Sequence, residues 1–595
     1  MVEPRYHWTF GPTVTPSESA LLAATERGLS ARIAGLLAVR GVTDGEGIVA
    51  WFAEPVAGLH DPRLLPDAGP ALERLRAARG RAERVQVFGD FDADGLTGLT
   101  ILTLALRHFG LEVEPYVPSR LDEGHGLSLA AIDAAQATGC SLIITVDCGS
   151  TSVAEVGVAR ERGIDVIVTD HHRVPKVTPA ATAFVNPHRP DATYPDRRLA
   201  GSGVAFKLAQ LVLAEEPGGA AFALGLADLA TIGTVADLAP IVGENRSIAR
   251  IGLDDMKREP RPGLAALLER ARIAPSAVDL EAVSFHIAPR LNAAGRVGEA
   301  MEAAHLLLAD DPSTAAMHAD ALEAANTTRR DLMKTVLADA RAAASVDGVD
   351  AGLWAGDAAT IVRGPWPVGI VGLVASRLVE DRGRPAVVGA EIGDVVRASC
   401  RSDGSLDLGA ALETCGDLFS RFGGHAGAAG FELPAERWEA FRERFLPLAE
   451  AAAPADPRRS LAIDLAMPAI DVDYPFYREL AGLAPCGPGN PDPLVAVLGL
   501  TVTRVRPATG GHSQLTLLRE RDVLDGIAFG RSDIAEVVHE GDRLDVVARV
   551  TSRTFGGFES LQLDIRDVAT SGSHPVAAAI LSASAMSPQL VGSAS

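Results

Sequence analysis

The sequence predicts a multidomain α/β protein built around a doubly wound parallel sheet. The chain has 595 residues, which is too long for a single hydrophobic core, so several domains are expected. Short apolar runs also alternate with helical segments between residues 85 and 170. Buried strands separated by helices in this way are typical of a parallel sheet that is covered by helices on both faces.

Apolar runs locate the strands of this sheet, and each run is followed by a turn or a helix. The expected strands are residues 85–88, 113–117, 142–146 and 166–168. Before them, helical spacing of apolar residues, for example at Leu29, Ile33 and Leu36, predicts an N-terminal helical region over residues 1–80. The α/β domain that contains the sheet is expected over residues 81–310.

The rest of the chain is expected to form a helix, two further domains and a tail. Asp311-Pro312 can begin a connector helix over residues 311–348, because Asp is a good N-cap and Pro suits the first helical position. A second α/β domain is expected over residues 349–455. Short alternating strands predict a small β-barrel over residues 458–570. The Ser- and Ala-rich segment 571–595 is expected to be a disordered tail.

Composition argues against a membrane protein and against a disulfide-stabilised secreted protein. No apolar run is long enough and free enough of charge to span a bilayer, and the start MVEPRYHWTF lacks the apolar segment of a secretory signal. The five cysteines are scattered without CxxC spacing, which argues against a cysteine zinc site and a disulfide framework. We therefore expect a cytoplasmic protein that has no membrane contact.

The net charge of −22, from 77 acidic and 55 basic residues, by itself counts against a nucleic-acid partner. Neutralising the phosphates of a nucleic acid requires Lys and Arg side chains. The charge of the whole chain describes its average field, however, and not the charge of a particular groove. An acidic cleft that holds cations and is flanked by a few arginines could still bind DNA.

The segment VFGDFDADG, residues 87–95, carries three alternating aspartates in a turn after a strand: Asp90, Asp92 and Asp94. A solvated acidic turn is the simplest alternative interpretation. Three carboxylates so close together repel one another, and a divalent cation is the usual compensation. The opening of the segment also matches a calcium loop, but Ile101 stands where that loop requires glutamate. We interpret the segment as a metal site of another kind.

Two later segments place further polar side chains after strands of the same sheet. Asp147 follows one strand, and Asp170, His171 and His172 follow the next. The carboxyl ends of parallel strands meet at one edge of the sheet, so these side chains are expected to lie close to Asp90. Asp170 can orient one of the histidines through a hydrogen bond.

Carboxylate and imidazole ligands without thiolate favour manganese or magnesium over structural zinc. Two such ions roughly 4 Å apart can hold a phosphodiester and supply hydroxide at neutral pH. The residues therefore predict phosphoester hydrolysis that needs no side-chain nucleophile.

The motifs GDFDADG, TVDCGS and TDHH, in this order and spacing, resemble the first three motifs of the DHH phosphoesterase superfamily. TVADLAP, residues 234–240, resembles the fourth. Further segments extend the resemblance to the RecJ exonuclease family within this superfamily and cover residues 30 to 570. They are VPSRLDEGHGL (117–127), LAGSGVAFKL (199–208), IAPRLNAAGR (287–296), GIVGLVASRL (369–378), RFGGHAGAAG (421–430) and CGPGNPDP (486–493).

The resemblance implies a metal-dependent 5′-to-3′ exonuclease that degrades single-stranded DNA in repair and recombination. It implies two divalent ions, manganese with magnesium as the alternative, held by Asp92, Asp94, Asp147, His171 and Asp237. Asp147 would bridge the ions, Asp90 would be a ligand or an immediate neighbour, and His172 would contact the scissile phosphate or position the water. The implied fold is a DHH domain, the connector helix, a DHH-associated domain and an OB-fold barrel.

Three groups of residues are candidates for binding the substrate: Arg290, Asn292 and Arg296; Ser399, Arg401 and Ser402; and Gly424 with His425. The resemblance assigns the first group to a loop that contacts phosphate and the second to the phosphate at the 5′ end. Exposed arginines are often ordinary surface residues, and the glycines of the third group could instead serve tight helix packing. The prediction for that group is a phosphate held by backbone N–H groups and His425.

Other positions depart from the family pattern, namely His125, Pro367, Cys486 and Phe555. They concern base stacking and not the expected metal ligands. A DHH phosphodiesterase acting on short oligoribonucleotides or cyclic dinucleotides is the alternative enzyme, and an inactive scaffold is the alternative of a different class. The resemblance further implies a monomer that works with a helicase and a single-strand-binding protein.

Overall fold

The computed structural model describes residues 2–11, 14–120, 123–344, 358–454, 458–520, 522–555 and 558–586. Up to the connector, the strands are β1 (His7–Phe10), β2 (Arg84–Gly89), β3 (Glu112–Tyr116), β4 (Cys140–Val146), β5 (Asp165–Thr169) and β6 (Ala183–Val185). The helices are α1 (Glu18–Glu26), α2 (Ala31–Val39), α3 (Gly45–Trp51), α4 (Ala68–Gly80), α5 (Ala93–His108), α6 (Leu129–Ala137), α7 (Val153–Glu161), α8 (Gly201–Leu213), α9 (Gly219–Leu224), α10 (Ala227–Ala236), α11 (Gly243–Arg258), α12 (Pro262–Ala271), α13 (Leu280–Ala282), α14 (Ala288–Val297) and α15 (Met301–Leu308). A π-helical turn, Val283–Ile287, joins α13 to α14.

The second half begins with the connector helix α16 (Pro312–Ala344). The strands that follow are β7 (Thr360–Gly364), β8 (Ala386–Ile392), β9 (Val395–Arg401), β10 (Arg421–Gly424), β11 (Ala428–Pro434), β12 (Ser460–Ile463), β13 (Leu465–Pro468), β14 (Val495–Ala508), β15 (His512–Arg519), β16 (Asp522–Ala528), β17 (Arg543–Phe555) and β18 (Phe558–Thr570). The helices are α17 (Val368–Arg382), α18 (Leu408–Glu413), α19 (Trp438–Ala452), α20 (Tyr474–Ala481), α21 (Ile534–Val537) and α22 (Pro575–Met586).

The predicted parallel sheet is present, with five strands in the order β3-β2-β4-β5-β6, all parallel. Successive side chains of a strand point to opposite faces, so each strand contributes to two cores. Ile144 packs into a core with α5 and α8 on one face, and Ile143 packs into a core with α6 and α7 on the other. The strand β6 was not predicted, because three apolar residues are too few to form a recognisable pattern.

The connector helix begins where the sequence predicts it. Asp311 Oδ1 accepts hydrogen bonds from the N–H groups of Ser313 and Thr314, both at 2.9 Å, as an N-cap does. The expected end of the helix near residue 348 lies outside the described residues. The following domain has a mixed sheet in the order β10-β11-β9-β8-β7, in which the pair β7–β8 is parallel and the other pairs are antiparallel.

The predicted β-barrel is also present. Its sheet runs β13-β14-β15-β16-β18-β17, and a further pairing between β14 and β17 closes five of these strands into a barrel. Buried residues alternate with half-buried ones along the strands, as His512–Arg519 shows, so the apolar side chains fill the interior. This arrangement is the OB-type barrel that the sequence predicts.

The N-terminal region packs against the barrel and contains a strand as well as helices. β1 pairs in parallel with β12, and Trp8 Nε1 donates a buried hydrogen bond to Asp567 Oδ2 at 2.9 Å. Helices α1, α2 and α3 share one apolar core with the barrel strands, whereas α4 packs into the core of the parallel sheet. The strand could not be predicted because its pairing partner lies about 450 residues away in sequence.

The predicted disorder of residues 571–595 is wrong for residues 575–586, which form α22. The helix places Ala577 in a buried cluster with Trp8 of β1 and Leu498 of β14. Small apolar residues give weak local signals, so this helix depends on a surface that the distant strands provide. Residues 587–595 lie outside the described residues.

One apolar segment qualifies as a membrane span by length and composition, contrary to the prediction that none does. It is Gly219–Ala236, and 67% of it is buried inside the protein. It comprises α9 and α10, and α10 packs against α5, α8 and α11. The apolar character of this segment is that of a core helix.

A buried ion pair joins α8 to α11 beneath the sheet. Lys207 Nζ lies 2.9 Å from Glu244 Oε1, both side chains are fully buried, and the ammonium also donates to the carbonyl of His60 at 2.6 Å. Glu244 accepts a further hydrogen bond from the Tyr194 hydroxyl at 2.6 Å. Burial lowers the pKa of Lys207, and the attraction of Glu244 opposes this shift. The pair satisfies groups that would otherwise be costly to bury.

Lys207→Met is expected to lower the free energy of unfolding by about 3–5 kcal/mol, because Glu244 would remain buried without its counter-ion. Denaturant unfolding followed by circular dichroism measures this loss. Arg76→Met is a matched control, because Arg76 pairs with Glu215 at the surface at 2.7 Å and such pairs contribute little. Equal losses in the two variants would contradict the assigned role of the buried pair.

Candidate metal centre

The three aspartates of GDFDADG lie in the turn that joins β2 to α5. Asp90 directly follows β2, and Asp92 is the N-cap of α5. The Asp92 Oδ1 atom accepts hydrogen bonds from the N–H groups of Asp94 and Gly95, both at 3.1 Å. An N-cap satisfies backbone donors that the first helical turn leaves without partners. The same turn therefore fixes the aspartates and starts the helix.

Asp94 is held by the N-terminus of a second helix, α8. Its Oδ2 accepts a hydrogen bond from the N–H of Gly201 at 2.7 Å, and its Oδ1 accepts one from Ser202 at 2.9 Å. The side chain is only 2% exposed. The free N–H groups and the dipole of a helix N-terminus stabilise an anion. The hydrogen bonds that hold the buried carboxylate thus come from backbone groups.

Asp147 directly follows β4 and has a backbone φ of 63°. This left-handed region is uncommon for residues other than glycine, although Asp tolerates it better than most. The backbone of Gly201 approaches so closely that a Cβ there would lie 2.6 Å from the Cβ of Asp147. Glycine is therefore required at position 201 for α8 to reach the edge of the sheet.

Asp170 follows β5 and organises the two histidines after it. Its Oδ1 accepts hydrogen bonds from the N–H groups of His171 at 2.7 Å and His172 at 3.1 Å, and lies 2.8 Å from Nδ1 of His172. Burial opposes ionisation, yet the hydrogen bond and charge of His172 hold the pKa of Asp170 below its usual range. The bond to Asp170 raises the pKa of His172 to about 9. The predicted orienting contact thus involves His172.

His171 lies between carboxylates from three other segments. Its Nε2 is 3.0 Å from Asp147 Oδ1 and 3.8 Å from Asp94 Oδ2, and its Nδ1 is 3.9 Å from Asp237 Oδ2. Asp237 is the C-cap of α10. Two sets of residues could each hold a metal ion, because the ligand atoms within each set lie within 4.8 Å of one another. The sets are Asp94, His171 and Asp237, and Asp147, His171 and His172. We call these five residues the metal cluster.

The metal cluster contains two buried atoms that have no hydrogen-bond partner of good geometry within the described part of the chain, Asp147 Oδ1 and His171 Nε2. Buried polar atoms without partners are costly, so two of them at one point indicate a ligand. Carboxylate oxygens and imidazole nitrogens without thiolate suit manganese or magnesium. The residues present therefore fit the predicted metal site.

The carboxyl groups in and beside the metal cluster raise one another's pKa values. Burial, followed by the charges of Asp94 and Asp92, raises the pKa of Asp147 well above its usual range. Burial and the charges of Asp90 and Asp94 raise the pKa of Asp92 to about 6. Burial and Asp94 raise the pKa of Asp237 to about 8. A divalent cation would remove this repulsion and favour the ionised form of every carboxyl group.

Asp90 lies beside the metal cluster. Its Oδ2 is 3.0 Å from Nδ1 of His125, and its Oδ1 accepts a hydrogen bond from the N–H of Phe91 at 2.9 Å. The rings of His125 and Phe91 have centroids 4.5 Å apart. Asp90 belongs to neither set of possible ligand atoms, which favours the role of a neighbour of the ligands over that of a ligand.

Arg290 and Asn292, which lie on α14, have hydrogen-bond partners in other elements. Arg290 is buried, its Nε donates to Glu323 Oε2 of α16 at 2.6 Å, and its Nη1 donates to the carbonyl of His286 at 2.8 Å. Asn292 Oδ1 accepts a hydrogen bond from the N–H of Ala93 at 2.8 Å, so it braces the first residue of α5. These contacts support the aspartate turn and the connector, and do not by themselves favour direct phosphate binding.

Arg296 lies among other cations near the aspartate turn. Its Nη1 donates to the carbonyl of Gly369 in the first turn of α17 at 3.0 Å. Burial, followed by the guanidinium groups of Arg120 and Arg329, lowers the pKa of Arg296 to about 10, while Asp92 opposes this shift. The Arg120 guanidinium carbon lies 4.9 Å from the centroid of the Phe91 ring.

Ser399 and Arg401 on β9 face α17, the helix that Arg296 also contacts. A Cβ on Gly372 of α17 would lie 3.4 Å from Ser399 Oγ and 3.3 Å from Arg401 Nη2, which puts both side chains against this helix. Burial lowers the pKa of Arg401, and the charge of Arg120 lowers it further. Arg120, Arg296 and Arg401 form no ion pair with a carboxylate among the described residues. We call Arg120, Arg296, Ser399 and Arg401 the cationic pocket.

The remaining predicted substrate residues lie in turns. Ser402 Oγ donates to the carbonyl of Leu406 at 2.7 Å and accepts from the N–H of Gly404 at 3.1 Å, so its hydroxyl stabilises a turn. Gly424 and His425 lie at the exposed end of the β10–β11 hairpin, beside α18. At Gly424, φ is 142° and a Cβ would lie 2.4 Å from the Cα of Ala429.

The sequence did not predict roles for two residues of this region, Arg120 and Asn186. Arg120 belongs to the segment VPSRLDEGHGL, which carried the resemblance, but its placement depends on contacts between distant segments. Asn186 follows β6, and its Nδ2 donates to the carbonyl of His172 at 2.9 Å and to Ser150 Oγ at 3.0 Å. The rule of polar residues at strand ends would have found Asn186 if β6 had been recognised.

Comparison with known proteins assigns the three domains. Residues 84–234 match the DHH family, N-terminal domain, residues 358–450 match the DHHA1 domain, and residues 463–567 match the RecJ OB domain. The metal cluster and the cationic pocket draw their residues from the first two matched regions and from the segment between them.

Several curated relatives match most of the chain, each a single-stranded-DNA-specific exonuclease RecJ. The Bacillus subtilis protein is 34% identical over 562 residues, which are 93% of this chain and 70% of that protein. The Dickeya dadantii protein is 35% identical over 571 residues, 90% of this chain and 95% of that protein. The Escherichia coli protein is 33% identical over 568 residues, with the same coverage of both chains.

Solved structures give the same assignment. The crystal structure of RecJ in complex with Mn²⁺ from Thermus thermophilus has a TM-score of 0.78 at 29% identity, covering 95% of this chain and 80% of that one. A second crystal structure, of exonuclease RecJ bound to manganese, has a TM-score of 0.56 at 34% identity and covers 66% of this chain and 96% of that one. The chain belongs to the RecJ family of single-stranded-DNA-specific exonucleases.

Proposed function

We propose that this protein is a metal-dependent exonuclease that hydrolyses single-stranded DNA from its 5′ end. The observation that carries the proposal is the convergence of Asp94, Asp147, His171 and Asp237 from four segments of one domain. The domain belongs to a chain whose relatives are single-stranded-DNA-specific exonucleases. The closed barrel over residues 463–567 supports a single-stranded nucleic acid as the substrate, because OB folds commonly bind one.

The metal cluster would hold two divalent ions, manganese with magnesium as the alternative. When bound, the ions would polarise the phosphodiester and lower the pKa of a bound water. Asp92, Asp94, Asp147, His171 and Asp237 would be the ligands, with Asp147 shared between the two ions. The backbone hydrogen bonds to Asp94 and the left-handed conformation of Asp147 keep these carboxylates in place before the ions bind.

His172 would contact the scissile phosphate or position the attacking water. Asp170 fixes the ring through Nδ1, so the second ring nitrogen points away from Asp170. The side chain of His172 is 55% exposed, whereas that of His171 is 13% exposed, which suits a contact with substrate for the first and with metal for the second. Asn186 supports the arrangement because it holds the carbonyl of His172.

The cationic pocket would bind the 5′-terminal phosphate. Its three arginines lack carboxylate partners among the described residues. They are also partly buried, so water solvates their guanidinium groups poorly. An anion with several oxygens would satisfy these donors, and phosphate fits the planar guanidinium well. The proximity of Arg120 and Arg296 to Asp92 would set the scissile bond a short distance from the terminus.

Residues outside the two sites bear on a further phosphate contact and on the cellular compartment. Gly424 and His425 would hold a nucleotide phosphate at the open hairpin end. Four of the five cysteines are buried and all are free, which suits a reducing cytoplasm. A helicase and a single-strand-binding protein remain the expected partners of a monomer that acts in DNA repair and recombination.

Asp147→Asn is expected to lower the exonuclease rate by at least about 100-fold. The amide keeps the size of the side chain but removes the charge of a proposed shared ligand, and even supporting residues of metal sites contribute about 10–100-fold. Release of labelled nucleotide from single-stranded DNA with Mn²⁺ measures the rate. Asp133→Asn on the exposed side of α6 is the matched control and should retain full activity. Activity of Asp147→Asn near that of wild type would refute metal catalysis here.

Arg401→Ala is expected to reduce the preference for a 5′-phosphorylated over a 5′-hydroxyl substrate by about 10- to 100-fold. A charge-assisted hydrogen bond contributes about 1.5–3 kcal/mol, which corresponds to this ratio. Arg397→Ala on the same strand is the control, because Arg397 Nε already pairs with Glu432 at 2.6 Å. Competition between the two substrates gives the preference directly, and an unchanged ratio in Arg401→Ala would exclude the pocket as the 5′-phosphate site.

Single-stranded DNA labelled at its 5′ end is expected to release label at once, whereas DNA labelled at its 3′ end releases it last. Duplex DNA should be resistant, and a chelator should abolish digestion. The same assay with di- and trinucleotide RNA tests the alternative, a phosphodiesterase for short oligoribonucleotides or cyclic dinucleotides. Faster hydrolysis of these short substrates than of single-stranded DNA would favour that alternative and overturn the proposal.

A further inference from the structure

A second cluster of possible metal ligands lies away from the metal cluster, where α15 meets the first turns of α16. It comprises Glu302 and His305 on α15 and His318 on α16, and one ligand atom from each lies within 4.8 Å of the others. His318 Nδ1 is 2.7 Å from Glu302 Oε2, and the rings of His305 and His318 have centroids 5.4 Å apart. None of these residues belongs to the proposed catalytic site.

The geometry of the three side chains suits one ion. Glu302 and His305 are three residues apart, so they share a face of α15. The connector helix brings His318 against that face. Ligands of a tetrahedral zinc ion lie about 2.0–2.1 Å from the metal and therefore roughly 3.3 Å from one another. His305 is exposed, so its ring has room to turn and bring its nitrogen closer to the other two ligand atoms.

We propose that Glu302, His305 and His318 bind a late first-row divalent transition metal of the zinc class. Two imidazoles and one carboxylate form a known zinc ligand set, and the fourth position would be open to water because His305 is exposed. This donor set separates the site from the metal cluster, where carboxylates dominate and manganese or magnesium is favoured. The inference is independent of the proposed nuclease function.

The ion would fasten α15 to the beginning of the connector helix. α15 also packs against α5, whose first turn carries Asp92 and Asp94. The alternative is that Glu302 and His318 form only a hydrogen bond, in which case His305 has no part in the arrangement. The two possibilities differ in whether metal is retained.

Metal content of the full-length protein distinguishes them. In an Asp147→Ala/His171→Ala background, which disables the metal cluster, one equivalent of Zn²⁺ is expected to remain after equilibrium dialysis. Co²⁺ in its place should show the visible absorption of a tetrahedral site, which Zn²⁺ itself cannot show because its d shell is full. Adding His305→Ala and His318→Ala should remove both signals. Adding His539→Ala, which removes an exposed histidine of the barrel, should leave them unchanged.

His318→Gln distinguishes loss of a metal ligand from loss of signal through misfolding. The Gln amide can keep a hydrogen bond to Glu302 but is a poor zinc ligand, so affinity should fall by at least about tenfold while the melting curve in chelator stays the same. The proposal is overturned if the Asp147→Ala/His171→Ala protein retains no Zn²⁺. It is also overturned if the signals survive His305→Ala and His318→Ala. Nuclease activity is not a readout, so failure here leaves the proposed function untouched.

Discussion

The concentration of negative charge at the carboxyl edge of one parallel sheet is the constraint on which the rest of the structure depends. Asp92, Asp94, Asp147 and Asp237 repel one another strongly enough that burial and mutual charge raise three of their pKa values. Among the described residues, no lysine or arginine forms an ion pair with these four carboxylates. Backbone N–H groups at the starts of α5 and α8 hold two of the carboxylates instead. The charge therefore remains available for cations.

The same constraint explains how a chain of net charge −22 can be suited to a polyanion. In the proposed function, the acidic side chains at the centre would bind metal ions, and a small number of arginines nearby would bind the substrate phosphate. Arg120, Arg296 and Arg401 come from three separate segments, and burial, followed by the charges of neighbouring arginines, lowers the pKa of Arg296. In the proposed function, two neighbouring sites of opposite charge would fix the DNA terminus and the bond to be cleaved, although the average field is unfavourable.

How far the sequence predicted this structure depended on whether a feature was local. The strands β2, β4 and β5 and the acidic residues after them follow from apolar runs and strand-end rules, and Asp311 as an N-cap follows from helix chemistry. Features that need a distant partner were missed. The strand β1 is defined by pairing with β12, and α22 by the surface that β1 and β14 provide.

In the candidate site, too, local features were predicted and features that depend on distant contacts were not. Asp94, Asp147, His171 and Asp237 were predicted from motifs, and they converge. The spatial role of Asn292, which braces α5 from 199 residues away, could not be inferred from its own segment. Arg290 was expected to contact phosphate, yet its pairing with Glu323 depends on how the connector helix packs. Residue type indicates what chemistry is possible, and tertiary contacts decide which side chains remain free for it.

Anomalous diffraction from a crystal soaked in manganese is the most direct test of the central claim. We expect two peaks bounded by Asp94, Asp147, His171 and Asp237, and no peak in the same place in an Asp147→Ala crystal. A soaked crystal with intact Asp147 but no anomalous density among these side chains would contradict the claim that the acidic edge exists to bind cations.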